Sequence, residues 1–170
     1  MSALDKENCM NQNCIEINNL IIKKEDILSE TANEIISALN RELKERYPED
    51  GATHFGLEAN EVKEGSGAFF IAWNDSEPIG CWAIRLIDSG TAEIKRMYVA
   101  PQARGLGIGY KILMTLESEA IHIDADKLVL ETGERQPESL ALYKKAGFVR
   151  VPAFGEYVSD PLSVCMGKRI

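Results

Sequence analysis

Glycines 105, 107 and 109 in "QARGLGIGYKIL" fall where an apolar stripe of helical spacing begins, with Leu106, Leu113, Leu116 and Ala120 in line and Ile108 and Ile112 beside them. A glycine inside a helix costs about 1 kcal/mol relative to alanine, so three would cost roughly 3 kcal/mol if all were helical. A helix start offers unpaired N–H groups and a partial positive charge, which suit an anion and phosphate above all. Glycine lets that anion reach the backbone, because no Cβ intervenes. Arg104 stands just before the turn, and Lys95, Arg96 and Lys111 add local positive charge. The run lacks the Gly-Lys-Ser/Thr end of a phosphate-binding P-loop. It also departs from the dinucleotide fingerprint: the spacing is Gly-x-Gly-x-Gly, "APQAR" separates it from the strand, and that strand carries Glu93, Lys95 and Arg96. Tight packing of helix on strand would use glycines too, and the residues alone leave that explanation open.

The rest of the chain says how such a device must work. It has 170 residues and a formal net charge of −8, with a pI near 4.9. Nonspecific nucleic-acid binding is not expected of such a charge, so an anion must be held by a local feature. Four cysteines (Cys9, Cys14, Cys81, Cys165) form no Cys-x-x-Cys pair, and only His54 and His122 join them. That is a poor inventory for zinc, and no metal is expected. The longest apolar run, "AFFIAW", is too short to span a bilayer. Residues 1–13 read as a polar, disordered tail without a signal-peptide core, and the protein as cytoplasmic with no membrane partner.

The elements that must position the glycines follow from period and punctuation. Residues 15–22 read as a first strand. A helix runs from about Ser29 to 47, with Ile35, Ile36, Leu39 and Leu43 on its apolar stripe and Pro48 beyond it. Residues 68–88 read as two strands around "NDSEP", and 91–99 as a third consecutive strand. The glycine-rich helix then spans 105–122, followed by a buried strand at 127–132. A helix from Pro137 stops at Gly147, and "FVRV" and "SVCMGKRI" close the chain as strands. This order implies a single α/β domain over 14–170: a mixed, mostly antiparallel sheet with helices on both faces.

"QARGLG" preceded by "IKRMYVAP", with "LYKKAGF" downstream, resembles the GNAT superfamily of acyl-CoA-dependent N-acyltransferases, in particular its small bacterial members. The resemblance implies a sheet splayed between the fourth and fifth strands. It implies acetyl-CoA as co-substrate, with its pyrophosphate on the backbone amides over Arg104, Gly105, Leu106, Gly107, Ile108 and Gly109 and on the Gln102 and Arg104 side chains. The pantetheine arm would pair with Met97, Tyr98 and Val99 as an added strand. Gln136 stands where the family usually has an asparagine.

Direct attack of an amine on the thioester is the chemistry so implied. The Met97 N–H is the candidate for the oxyanion. Tyr143 would protonate the leaving thiolate, and Glu93 would take the amine's proton, with Glu131 on the facing strand as its competitor. Tyr47, Phe55, Tyr157 and Asp160, with Glu131, would line a pocket for a small amine, through charge and cation–π contact. The expectation is N-acetyl transfer to a small-molecule amine. A protein or peptide amine acetyltransferase and a non-catalytic acyl-CoA sensor are the alternatives, and many relatives pair as homodimers.

Overall fold

The computed structural model describes residues 16–49 and 56–170. Seven strands form one sheet: β1 (Leu20–Lys24), β2 (Gly67–Asn74), β3 (Glu77–Asp88), β4 (Thr91–Val99), β5 (Lys127–Gly133), β6 (Val149–Arg150) and β7 (Ser163–Arg169). Their spatial order is β1-β2-β3-β4-β5-β7-β6. All neighbours are antiparallel except β4 and β5, the one parallel pair. The helices are α1 (Glu30–Arg46), α2 (Ile108–His122) and α3 (Pro137–Lys145).

Each helix is fixed by local chemistry. The Ser29 hydroxyl accepts from the Ala32 N–H at 3.2 Å, which caps α1. Pro137 opens α3, and Gly147, with φ +90°, lets the chain leave it. α1 buries Ala32, Ile35 and Leu39 against Phe69, Ile71, Cys81 and Ala83 on one face of the sheet. α2 and α3 bury Ile112, Leu116 and Tyr143 with Trp82, Ile84, Ile94 and Leu130 on the other. The mixed sheet covered on both faces is therefore as expected.

Two boundaries differ from the sequence reading. The first strand begins at Leu20 rather than 15, because the Asn74 side chain holds the preceding segment outside the ladder: its Oδ1 accepts from the Asn18 and Asn19 N–H groups, and its Nδ2 donates to the Glu16 carbonyl. The glycine-rich helix begins at Ile108 rather than 105. Gly105 and Gly107 lie before it, with φ of +76° and +78°. Only Gly109 is helical, so the expected cost of three helical glycines falls to that of one.

The feature that shapes the site is in β4. Its pairing with β5 runs from Thr91 opposite Lys127 to Ile94 opposite Leu130 and stops. On the other side, Lys95 faces Ala83 and Tyr98 faces Cys81, so Arg96 and Met97 share the space opposite Trp82. Arg96 sits there with φ +55°. Such a bulge bends its strand and increases its twist. β4 therefore leaves β5 just past Ile94, and a cleft opens between the fourth and fifth strands.

Candidate active site

The cleft leads into a cavity of about 430 Å³. Met97 connects the cavity to α2: the residue lines the cavity, and its methyl lies 3.7 Å from where a Cβ on Gly109 would be. The two ends of the cleft are built differently.

At the α2 end the groups are backbone. Gly107 is the N-cap in a left-handed conformation, no side chain caps the helix, and its first turn carries no acid. The N–H groups of Gly107, Ile108, Gly109 and Tyr110 are those that a helix start cannot pair internally. A Cβ on Gly105 or Gly107 would meet nothing within 4 Å. Packing does not require these two glycines; their backbone angles do, and the result is a bare stretch of main chain facing open space. Gly109 is the opposite case. A Cβ there would come 2.8 Å from Leu142 Cδ2, so this glycine seats α2 on α3. The two explanations the sequence left open thus divide among the three glycines. An uncapped, acid-free set of N–H donors beside open space fits a diphosphate.

The side chains expected to assist are committed elsewhere. Arg104 donates from Nε to the Val99 carbonyl at 2.8 Å and from Nη2 to Glu42 Oε2 at 2.6 Å, and its backbone N–H goes to Pro101 O. Gln102 donates to Glu77 at 3.3 Å. Lys95 donates to Glu156 and Tyr157, and Arg96 to Asn40. An anion at the start of α2 would therefore meet the main chain more than the sequence suggested. Leu106 and Val99 pack, partly buried, against the core, and Tyr98 is buried on the α1 side beneath the Arg104 guanidinium, so the Tyr98 ring is turned away from the cleft.

In the middle, the Tyr143 hydroxyl lies 3.5 Å from Met97 Sδ. Burial raises the Tyr143 pKa, helped by the nearby Glu131 charge, so the phenol holds its proton. Met97 lies past the last β4–β5 pair, and Gln136 borders the cavity at the start of α3.

At the other end the groups are side chains. Glu131 lines the cavity and accepts from the Ser163 hydroxyl at 2.7 Å. Burial raises its pKa, the Ser163 hydrogen bond opposes this, and the Asp160 charge adds to the rise. Asp160 also lines the cavity and accepts from the Leu162 N–H at 2.8 Å. Tyr47 forms part of the wall; its hydroxyl accepts from the Arg135 N–H at 3.0 Å, and a Cβ on Gly133 would overlap it. Phe55 lies outside the described residues.

Glu93 does not line the cavity. It is 1% exposed, and both oxygens are engaged: Oε2 by Arg85 Nε and Nη2 at 2.8 and 2.7 Å, Oε1 by the Tyr157 hydroxyl at 2.5 Å. Arg85 also pairs with Glu61. Tyr157, which does line the cavity, accepts from Lys95 Nζ at 3.0 Å, and burial together with Glu93 raises its pKa. Sequence reasoning missed Arg85, although Glu93 stands directly across from it on the next strand, and Glu61 and Ser163, whose partners lie 24 and 32 residues away. Gly133 was missed too, although a glycine ending a buried strand signals close approach of another group.

The acetyltransferase (GNAT) family profile matches residues 32–148. The IAA acetyltransferase of Azospirillum brasilense is 36% identical over 151 residues, covering 88% of this chain and 97% of that protein. A solved structure from Klebsiella pneumoniae, offered by its name as an acyl-CoA N-acyltransferase, is 32% identical with a TM-score of 0.74, over 88% of this chain and 97% of that one. A GNAT family acetyltransferase of Elizabethkingia anophelis, solved with acetyl-CoA bound, shares the fold with a TM-score of 0.65 at 21% identity, over 90% and 99% of the two chains.

Proposed function

The chain belongs to the acetyltransferase (GNAT) family, and from that premise we propose that it transfers an acetyl group from acetyl-CoA to the primary amine of a small molecule, without a metal and in the cytoplasm. The observation that carries this reading is the cleft itself. A bare, uncapped helix start borders one end, a half-buried carboxylate the other, and a protonated tyrosine stands between them.

Acetyl-CoA would supply an acyl thioester whose carbonyl the amine attacks. The N–H groups at the start of α2 hold the diphosphate, as their open surroundings favour. The Met97 N–H, past the end of the β4–β5 ladder, steadies the developing oxyanion. Glu131 takes the proton, directly or through water. It faces the cavity, whereas Glu93 is already paired with Arg85, so the competitor is the better base. A raised carboxylate pKa also brings it closer to that of an amine. Tyr143 gives its proton to the departing sulfur. The N–C bond forms and the C–S bond breaks. One ammonium proton leaves through Glu131 to solvent, another ends on the sulfur by way of Tyr143, and the last stays on the amide. Glu93 acts behind this line, holding Tyr157 in the wall.

A thermal melt with acetyl-CoA, CoA or NAD, followed by thiol release with a panel of amines, tests the reading. A ligand that binds only the native state at a hundred times its Kd adds about 2.7 kcal/mol. Both CoA species should raise Tm and NAD should not, and amines should release thiol. No shift with either CoA species, or no thiol with any amine, would overturn the proposal.

A further inference from the structure

The cavity's charges do not balance internally. Six charged side chains line it among the described residues: Glu49, Lys95, Arg96, Glu131, Glu156 and Asp160. Glu49 pairs with Arg135, and Lys95 with Glu156. Among the described residues Glu131 and Asp160 make no ion pair, and neither does Arg96. The Arg96 guanidinium makes one hydrogen bond, to the neutral Asn40 side chain at 2.8 Å. Among the described residues, the titratable side chains that bear on it are Cys81 and Tyr157, and neither is a carboxylate. Arg96 is half-buried, a guanidinium has more donors than Asn40 can use, and leaving such a charge partly desolvated without an anion carries a cost. Its burial lowers its pKa, the expected sign for a cation short of a counter-charge.

The uncompensated charges lie on opposite walls. Arg96 reaches α1 at Asn40, next to Leu39 and near Leu43, both in the cavity wall. Glu131 and Asp160 belong to the wall of β5 and the segment leading into β7. This is the charge pattern of a zwitterion in reverse. Resting on the transferase reading above, we infer that the acceptor is an amino acid or similarly small aminocarboxylate, whose carboxylate is taken by Arg96 and whose amine faces Glu131. The donor's phosphates do not compete for Arg96, since the start of α2 meets them. Arginine suits the task because its planar fork matches a carboxylate bidentately.

Paired acceptors that differ only in the carboxylate test this: leucine with leucinamide, and phenylalanine with phenylalaninamide, compared by kcat/KM for thiol release from acetyl-CoA. The amide's amine is the less basic of each pair, so a site blind to the carboxylate would use the amide at least as well. The free acids should instead be preferred by ~10- to 100-fold, the range for a hydrogen bond between charged groups, with the difference mainly in KM. Arg96→Asn should bring the ratio to about one or below. Asparagine tolerates positive φ, so the bulge should survive the change. Arg96→Lys, which keeps the charge and loses the fork, should retain part of the preference. Equal use of acid and amide by the unaltered protein, or an unchanged ratio in Arg96→Asn, would overturn the inference and leave the transferase intact. No melt shift with acetyl-CoA would bring down both.

Discussion

At the α2 end of the cleft the groups on offer are main-chain amides; at the β5–β7 end they are side chains held by other side chains. The first arrangement is made within a few consecutive residues. Two left-handed glycines and an uncapped first turn expose donors that exist in every helix. The second joins Glu61, Arg85, Glu93, Lys95, Glu156 and Tyr157, which only the sheet and the turn before β7 bring together. A backbone site suits a ligand common to a whole family, since it asks little of side-chain identity. A side-chain site can be rebuilt residue by residue, at the expense of desolvating charges that must then be paired.

The sharpest way to break this contrast is at Arg85. Arg85→Met leaves Glu93 buried without its cation and should destabilise the protein by about 3–5 kcal/mol in urea unfolding, with most of the loss recovered when Glu93→Gln is added. If the single variant costs nothing, the acceptor end is not held by charge. At the other end, Gly107→Glu places a β-carbon at φ +78° and a negative charge against the diphosphate. The acetyl-CoA melt shift should vanish while the protein stays folded, the left-handed strain alone being about 1–2 kcal/mol. A full shift in that variant would remove the anion from the α2 start. Between the ends, Tyr143→Phe should lower kcat by about a hundredfold, typical of lost general-acid help, with acetyl-CoA affinity kept. Unchanged kcat would give the proton to water.

Glu131 supplies the smallest effect on stability and the most diagnostic pH dependence. Its raised pKa means that the folded state keeps a proton the unfolded chain has already lost. Stability should therefore fall as pH rises from the ordinary carboxylate range to the raised value, and stay level above it. Activity should rise through the same window as the base is freed. Glu131→Gln should lose that acid limb along with most turnover, yet melt slightly higher near neutral pH. A variant that keeps the acid limb would transfer the base role elsewhere.

These opposite constructions also explain what could be read before folding. The β2–β3–β4 meander, α3 and the glycine device were legible because period, turn residues and caps are local. The start of α2 was not, since periodicity counts Gly105 and Gly107 as helical and only their φ angles exclude them. Arg104 looked like a phosphate ligand by position, but Glu42, on α1, claims it across the fold. Glu93 looked like a free strand carboxylate, although the β3–β4 hairpin sets Arg85 directly across from it; Tyr157, 64 residues further on, was beyond any local signal. Arg96 was counted as diffuse positive charge, and the bulge that turns it toward Asn40 is a property of strand pairing.

That bulge has a thiol behind it. Cys81 Sγ donates to the Arg96 carbonyl at 3.4 Å, is fully buried, and has its pKa pushed up to about 12 by that burial. In the closed cleft it is therefore a poor nucleophile and out of reach of an alkylating reagent. Modification of Cys81 has to wait for β3 and β4 to part at the bulge. The residue is a natural clock for the breathing of the cleft, with labelling time on the peptide that carries it recording how often the strands separate and how far a bound ligand slows them.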